Sequence, residues 1–132
     1  MSMVHDNEIL SYEVDLQNDQ IKIHTKYEGK QILEETDIIF TDVLNHLFEQ
    51  QLKGSIILDI CESEIDLFIQ ENTELLIKNK NYGWPMYFES IDDIKRTLLE
   101  GNYKYIILMS SYGMNGWVLA KNYEIVTREI NL

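Results

Sequence analysis

The sequence contains little cysteine, proline and glycine, and it has no long apolar run. Its 132 residues include a single cysteine, Cys61, so no internal disulfide can form. One proline and six glycines leave no room for a flexible linker. We therefore expect one domain over residues 1–132, long enough to bury a core. No stretch reaches the roughly 18 apolar residues that span a bilayer, and the N-terminus lacks the basic and apolar regions of a signal peptide. These absences predict a cytoplasmic protein that does not enter a membrane.

Basic residues are also scarce. The chain has 11 Lys and Arg against 23 Asp and Glu, which gives a formal charge of -12 at pH 7. The excess lies in residues 1–90, because residues 91–132 carry five acids and five bases. Such a charge disfavours nucleic acid as a partner, since phosphate binding requires a basic surface. A hydrophobic fraction of 45% and an aromatic fraction of 11% indicate a folded protein rather than a disordered one.

Two stretches in which apolar and polar residues alternate, 10–16 and 21–27, have the clearest local pattern. If Asn18-Asp19 forms a two-residue turn, Glu13 lies opposite His24 and the apolar side chains of both stretches share one face. This agreement between the turn and the alternation predicts a β-hairpin.

The rest of the chain predicts more strands and up to three helices. The helical spacing of Leu44, Leu47 and Phe48 predicts a first helix over residues 44–52. Capping-box patterns, Ser63 with Asp66 and Ser90 with Asp93, begin the other two, which are expected over 65–78 and from 91 to just before Gly101. Further strands are expected at 32–41, 56–61, 103–110, 116–121 and 123–130. This order of elements predicts an α+β domain, mainly an antiparallel sheet with two or three helices packed on one side.

Motifs for catalysis and for metal binding are lacking. The histidines His5, His24 and His46 do not have the spacing of a zinc site, and the acids do not follow the EF-hand pattern. No nucleophile elbow, dinucleotide-binding loop or Walker pattern is present. Cys61 lies in a predicted buried strand, where a thiol is usually inert. We therefore predict no catalytic residue, no metal and no cofactor, and we favour a non-enzymatic protein.

The densest group of acids consists of Glu34, Glu35 and Asp37, together with Asp42. We hypothesise that these residues meet a basic protein partner, because charge complementarity speeds association and rejects wrong partners. In the alternative interpretation they form a solvated strand face and serve solubility.

The two tryptophans lie in similar contexts, each preceded by a glycine and a tyrosine. If the two loops lie at the same end of the sheet, Tyr82, Trp84, Tyr112 and Trp117 frame a pocket. The alternative function is then a small-molecule binding protein or an enzyme. In the competing interpretation both indoles close the core. A third hypothesis is a homo-oligomeric structural domain.

Three stretches resemble small uncharacterised single-domain proteins of Bacillus-type bacteria. They are Phe40-Thr41-Asp42-Val43, Tyr82-Gly83-Trp84-Pro85 and Ser110-Ser111-Tyr112-Gly113-Met114-Asn115-Gly116-Trp117-Val118. Some small acidic proteins of such bacteria are immunity factors that bind and block a toxin domain. The resemblance implies an inhibitor or immunity factor, and it implies no catalytic residue.

Overall fold

Over residues 4–131 the fold is a closed antiparallel barrel with two α-helices packed against its outside. The computed structural model describes residues 4–131. The barrel has the strand order β1-β2-β3-β6-β5-β4. The elements in chain order are β1 (Glu8–Asp15), β2 (Gln20–Glu28), β3 (Ile32–Glu49), β4 (Ile56–Ser63), α1 (Ile65–Lys78), a 3-10 turn (Lys80–Tyr82), α2 (Ile91–Glu100), β5 (Lys104–Tyr112) and β6 (Asn115–Asn131).

The predicted α+β class is confirmed: the described part of the chain forms one domain with an antiparallel six-stranded sheet and two α-helices. The closure of that sheet into a barrel was not part of the prediction. No helix within residues 4–131 combines the length and the apolarity needed to cross a membrane.

Two hydrophobic cores share the strands between them. On β5, Ile106 and Leu108 belong to the core inside the barrel, whereas Tyr105 belongs to the core under the helices and the intervening Ile107 packs against that core. On β6, Val118 and Trp117 divide in the same way. Successive side chains of a strand point to opposite faces, so strands that are apolar on both faces support both cores.

The helix predicted over residues 44–52 is wrong, because these residues continue β3 up to Glu49. The pairing of β3 with β6 shifts by one residue between Val43 and Asn45, which marks a bulge. The extra residue places Leu44 and Leu47, three positions apart, on the same side toward the helices, while Phe48 enters the barrel. A bulged strand with apolar side chains on both faces therefore reproduced the spacing of a helix.

The predicted hairpin is present, but its turn is longer than predicted. Glu13 is paired with Lys22, two residues from the predicted partner. A shift of two residues in the pairing of β1 with β2 keeps the apolar side chains on the same face of the hairpin, whereas a shift of one residue would have moved them to the opposite face. The turn takes up residues 16–19, and the Asp15 carboxylate stabilises it by accepting a hydrogen bond from the backbone N of Asn18 at 3.1 Å.

The two remaining helices were predicted well, but only one of the two predicted capping boxes, that of α2, is present. Asp93 accepts a hydrogen bond from the backbone N of Ser90 at 3.0 Å, as the capping pattern predicted. Helix α1 begins after Glu64 rather than after Ser63, and the N-cap residue makes no side-chain hydrogen bond. The strands predicted at 116–121 and 123–130 form one strand, β6, which pairs with β3 along most of its length.

Candidate binding surface

One edge of strand β1 is mostly unpaired. On this edge Glu8 pairs with Ile56 at the start of β4, and the backbone N of Ile9 donates to the carbonyl of Ser55 at 2.8 Å. In the part of the chain that the structure describes, no strand pairs with residues 11–15 on this side. An edge of this kind presents backbone donors and acceptors that can pair with another strand.

A groove of about 530 Å³ lies beside this edge, between β1 and the segment that leads into β4. Its lining includes the buried residues Ile9 and Met114, and Leu10 and Leu52, whose exposures are 51% and 52%. The pairing of β1 with β2 shifts between Ile9 and Ser11, and this bulge turns Leu10 outward. We call this site, which is open to solvent, the β1 groove.

Tyr12 of β1 contacts the residues on the opposite side of the β1 groove. Its ring packs edge-on against Phe48 with 5.0 Å between the ring centroids. Its hydroxyl accepts a hydrogen bond from the Gln51 side-chain nitrogen at 3.1 Å, and the same nitrogen donates to the Phe48 carbonyl at 3.0 Å. The segment after β3 is thereby tied to β1, and a groove that is ordered beforehand lowers the entropy cost of binding.

The strand beside the groove is acidic. Residues 6–19 contain five acids and no Lys or Arg. Three of these acids, Glu8, Glu13 and Asp15, lie on β1 itself. The only base in the groove lining is Lys53, which is exposed.

Two of the four acids of the predicted partner site, Glu35 and Asp37, lie in a charge network on the outer face of the sheet. The Arg128 guanidinium lies 3.4 Å from the Asp37 carboxylate and 3.6 Å from that of Glu35. His24 approaches Asp37 at 2.9 Å through Nδ1 and Glu13 at 3.5 Å through Nε2. The single guanidinium of Arg128 thus offsets part of the charge of Glu35 and Asp37.

The other two predicted acids lie apart from this network. Glu34 alternates with Glu35 along β3, so it lies on the face that continues to the buried Thr36. Asp42 is exposed beside the bulge and has a positive φ of 52°. Eight residues separate it from Glu34, which corresponds to roughly 26 Å along a strand. The structure therefore does not bring the four acids together on one surface.

The two tryptophans do meet, but inside the core beneath the helices. The ring centroids of Trp84 and Trp117 are 5.8 Å apart, and Trp117 is only 6% exposed. The tyrosines of the same loops lie at the surface, with Tyr82 83% exposed and Tyr112 54% exposed. Neither indole lines the β1 groove. The arrangement agrees with the interpretation in which both indoles close the core.

No family model, curated protein or solved structure matches this chain. A functional proposal for this chain therefore rests on the geometry of its own residues.

Two titratable groups near the cores, Cys61 and Tyr105, have raised pKa values. Burial, and secondarily Asp59, raises the pKa of the Cys61 thiol, which keeps it protonated and unreactive. Burial raises the pKa of Tyr105 to about 12, and its hydroxyl donates to the Glu71 carboxylate at 3.1 Å. Over residues 4–131, no three His, Cys, Asp or Glu side chains converge on a point where they could hold a metal ion.

The side chain of His46 is half-buried. It lies on β3 beyond the bulge, 5.0 Å from Phe48 between ring centroids, and it lines a small cavity of about 90 Å³ at the hairpin turn. Burial lowers the pKa of His46, because the charged imidazole loses hydration.

The lowered pKa of His46 predicts a loss of stability in mild acid. The unfolded chain takes up a proton near pH 6.5, the ordinary value, whereas the folded protein does so only at a lower pH. Between these two values the unfolded state binds more protons, so the free energy of unfolding falls as the pH falls. Urea denaturation at pH 7 and at pH 5 measures this change, and His46→Gln is expected to reduce it.

The neighbouring substitution Asn45→Ala is the matched control. The Asn45 side chain donates to the carbonyl of Pro85 at 3.1 Å, and neither group titrates in this range. Asn45→Ala should therefore lower the free energy of unfolding equally at both pH values. If His46→Gln also leaves the difference between pH 7 and pH 5 unchanged, His46 is not its source.

Sequence reasoning missed the β1 groove, although one signal was present. Ile9 and Leu10 are adjacent apolar residues, and they interrupt the alternation that continues through Tyr12 and Val14. Such an interruption is typical of a bulge. Leu52 and Met114, which come from distant parts of the chain, carried no comparable signal.

Proposed function

We propose that this chain is a non-enzymatic binding protein that meets a basic protein partner, in the manner of an inhibitor or immunity factor, in the cytoplasm. The observation that carries the proposal is the acidic segment 6–19 beside the unpaired edge of β1. Arg128 lies beside Glu35 and Asp37. The segment 6–19 has five acids and no Lys or Arg; Lys26 approaches Glu8 at 4.0 Å and His24 approaches Glu13 at 3.5 Å, but among the described residues no base forms an ion pair with Asp15 or Asp19 at the turn. The proposed contact surface is therefore β1 and its turn rather than the outer face of β3.

Binding of this kind should depend on salt. Ionic strength screens the attraction between exposed charges, with a Debye length of about 10 Å at 0.1 M and about 3 Å at 1 M salt. Capture from native lysate at low and at high salt, followed by mass spectrometry, should return a basic protein at low salt only. The captured protein is then purified, and its affinity is measured by calorimetry at both salt concentrations.

Two pairs of charge-removing substitutions locate the contact. Glu13→Gln with Asp19→Asn removes two exposed acids of the hairpin, and we expect at least tenfold weaker binding and a shallower salt dependence. Glu124→Gln with Glu129→Gln removes two exposed acids of β6 and should leave the affinity within about twofold. Equal losses from both pairs would refute the proposed location, and capture of no basic protein at either salt concentration would refute the proposed function.

A further inference from the structure

A second free edge of the sheet belongs to β6. Strand β5 pairs with β6 only over residues 116–120, whereas β3 pairs with β6 as far as Asn131. On the side of β6 away from β3, no strand within residues 4–131 pairs with residues 122–130. We call this stretch the β6 edge; at a rise of about 3.3 Å per residue it is roughly 30 Å long. Such an edge presents backbone donors and acceptors to another strand.

The side chains of the β6 edge leave its free side open. Thr127 Oγ1 lies 3.0 Å from Thr36 Oγ1, and the Arg128 guanidinium approaches two acids of β3. On the side of β5, Lys104 Nζ lies 6.0 Å from the ring centroid of Tyr123, which packs against the core inside the barrel. In the described chain, no hydrogen bond or ion pair from a side chain of residues 122–130 crosses the free side.

The position of β5 limits how a second copy of the chain can pair with this edge. In an antiparallel pair about a two-fold axis, opposite side chains must lie on the same face, so the axis passes through a residue and not between two residues. An axis at Ile125 would place Ile130 of one copy opposite Ala120 of the other, where β5 already pairs. An axis at Val126 places Ile130 opposite Asn122, so the two copies share the whole β6 edge without meeting β5.

The side chains favour the same axis. Arg128 lies on the outer face of the sheet, and the alternation of a strand puts Glu124 and Val126 on that face too. An axis at Val126 therefore sets Glu124 of each copy opposite Arg128 of the other, on both sides of a central pair of valines that are 38% exposed. An axis at Thr127 would instead set Glu124 opposite Ile130. Opposite charges directly across a strand pair stabilise a sheet, and β-branched residues pack well on its surface.

We propose that two copies of this chain pair along their β6 edges about a two-fold axis at Val126 and form one continuous sheet. Its strand order is β1-β2-β3-β6 of one copy followed by β6-β3-β2-β1 of the other. Strand β1 then lies at the far edge of each copy. The dimer is therefore independent of the proposed function, and it leaves the proposed contact surface on β1 open.

The net charge of -12 on each copy opposes association, but little of it lies on the β6 edge. Residues 122–130 carry two acids and Arg128, whereas β1 carries three acids and no base. Salt at 0.15 M screens distant charges with a Debye length of about 8 Å, while opposite side chains of a strand pair are about 5 Å apart. Arg128 is 55% exposed and has five N–H donors, so it can contact a further acid. We expect a dimer that dissociates on dilution.

Sedimentation of the full chain at several concentrations, at physiological salt, tests the proposal through two charge reversals. Glu124→Arg sets two arginines opposite each other, and Arg128→Glu sets two acids opposite each other, so each variant alone should dimerise at least tenfold more weakly. Mixed in equal amounts, the two variants should associate, because opposite charges then meet at both positions. Such recovery cannot come from a folding defect. Glu100→Arg, at an exposed position of α2, makes the same change in net charge as Glu124→Arg and should leave the dimer unchanged.

Two cysteine substitutions test the register. Val126→Cys lies on the axis, where opposite Cα atoms are about 4.5–5.5 Å apart and within reach of a disulfide, so mild oxidation should link the dimer. Glu124→Cys is the control, because its two copies are four residues apart along the strands, about 13 Å, and should not link. Native protein, with Cys61 alone, gives the background.

A monomer at every concentration, or charge variants that stay monomeric when mixed, would overturn the proposal. A native dimer that neither reversal weakens would have its interface elsewhere and would also overturn it. A monomer whose β6 amide NMR signals shift when a protein captured from lysate is added would assign the edge to a different partner. None of these results bears on the proposed function, which is tested by capture of a basic protein and by the substitutions at Glu13 and Asp19.

Discussion

Replacing Trp117 with alanine is expected to lower the free energy of unfolding by about 3 kcal/mol. The indole lies at the centre of the core beneath the helices, with its ring centroid 5.0 Å from that of Phe68 and 5.8 Å from that of Trp84. Truncation at a buried aromatic removes apolar burial and leaves a cavity, which costs about 3–5 kcal/mol. We expect the lower end of this range, because the indole nitrogen is buried without a hydrogen-bond partner in the described residues and its removal relieves a penalty.

Urea denaturation of native protein and of the Trp117→Ala variant measures this loss. Tyr82→Ala is the control: it belongs to the other glycine loop, but its side chain is 83% exposed. The control should change the free energy of unfolding by no more than about 0.5 kcal/mol. A loss below about 1 kcal/mol for Trp117→Ala would mean that the helices do not depend on this indole, and would reopen the interpretation of Trp117 as a binding residue.

The second large effect is expected for Gly116→Ala. Gly116 lies on β6 opposite Phe48 of β3, and a Cβ added there would overlap the carbonyl oxygen of Leu47. That oxygen belongs to the backbone of the neighbouring strand, so it cannot move aside as the end of a flexible side chain can. Overpacking costs about 1–3 kcal/mol, and we expect the upper end here because the strands themselves must separate.

Gly29→Ala is the matched control for this substitution. A Cβ at Gly29 would meet the Ile32 carbonyl oxygen at 3.5 Å, which is an ordinary van der Waals distance. The control should be neutral or stabilising by up to about 1 kcal/mol, because alanine restricts the unfolded chain. Thermal or urea unfolding of both variants gives the comparison, and equal stability of the two would contradict the close approach of β3 and β6 at Gly116.

The unpaired edge of β1 has a consequence for solubility as well as for binding. Exposed strand edges with apolar side chains promote association between chains unless charges oppose it. The acids of β1, with Glu13 among the most exposed, provide that opposition. The same arrangement of charge therefore opposes self-association along β1 and suits the basic partner proposed above.

Local patterns predicted those parts of the fold in which one face is buried and the other solvated. Helix α2 followed from its apolar spacing and from the Ser90 and Asp93 cap, and the first hairpin followed from alternation. Prediction failed at residues 44–49, where both faces of the strand carry apolar side chains and a bulge shifts the period. A spacing of three between Leu44 and Leu47 cannot distinguish a helix from a bulged strand without knowledge of the neighbouring strand.

The candidate site was predicted less well than the fold. Charge counting identified Glu34, Glu35, Asp37 and Asp42 as a group. However, adjacent residues of a strand lie on opposite faces. In addition, Arg128, which is 91 residues away in the sequence, lies beside Asp37 in the fold. Which acids stay uncompensated depends on such distant cations. The interpretation of the tryptophans depended likewise on contacts between two separate loops.

The sequence by itself determined the net charge, the single domain, the α+β class, the two α-helices and the first hairpin, because these depend on composition and on neighbours within a few residues. Only the tertiary structure decided the closure of the barrel, the two cores, the register of the hairpin and the extended form of residues 44–49, because each depends on pairing between distant segments. The β1 groove belongs to this second group. It exists because β4 pairs with β1 only near Glu8, and over residues 4–131 no strand pairs with the rest of that edge.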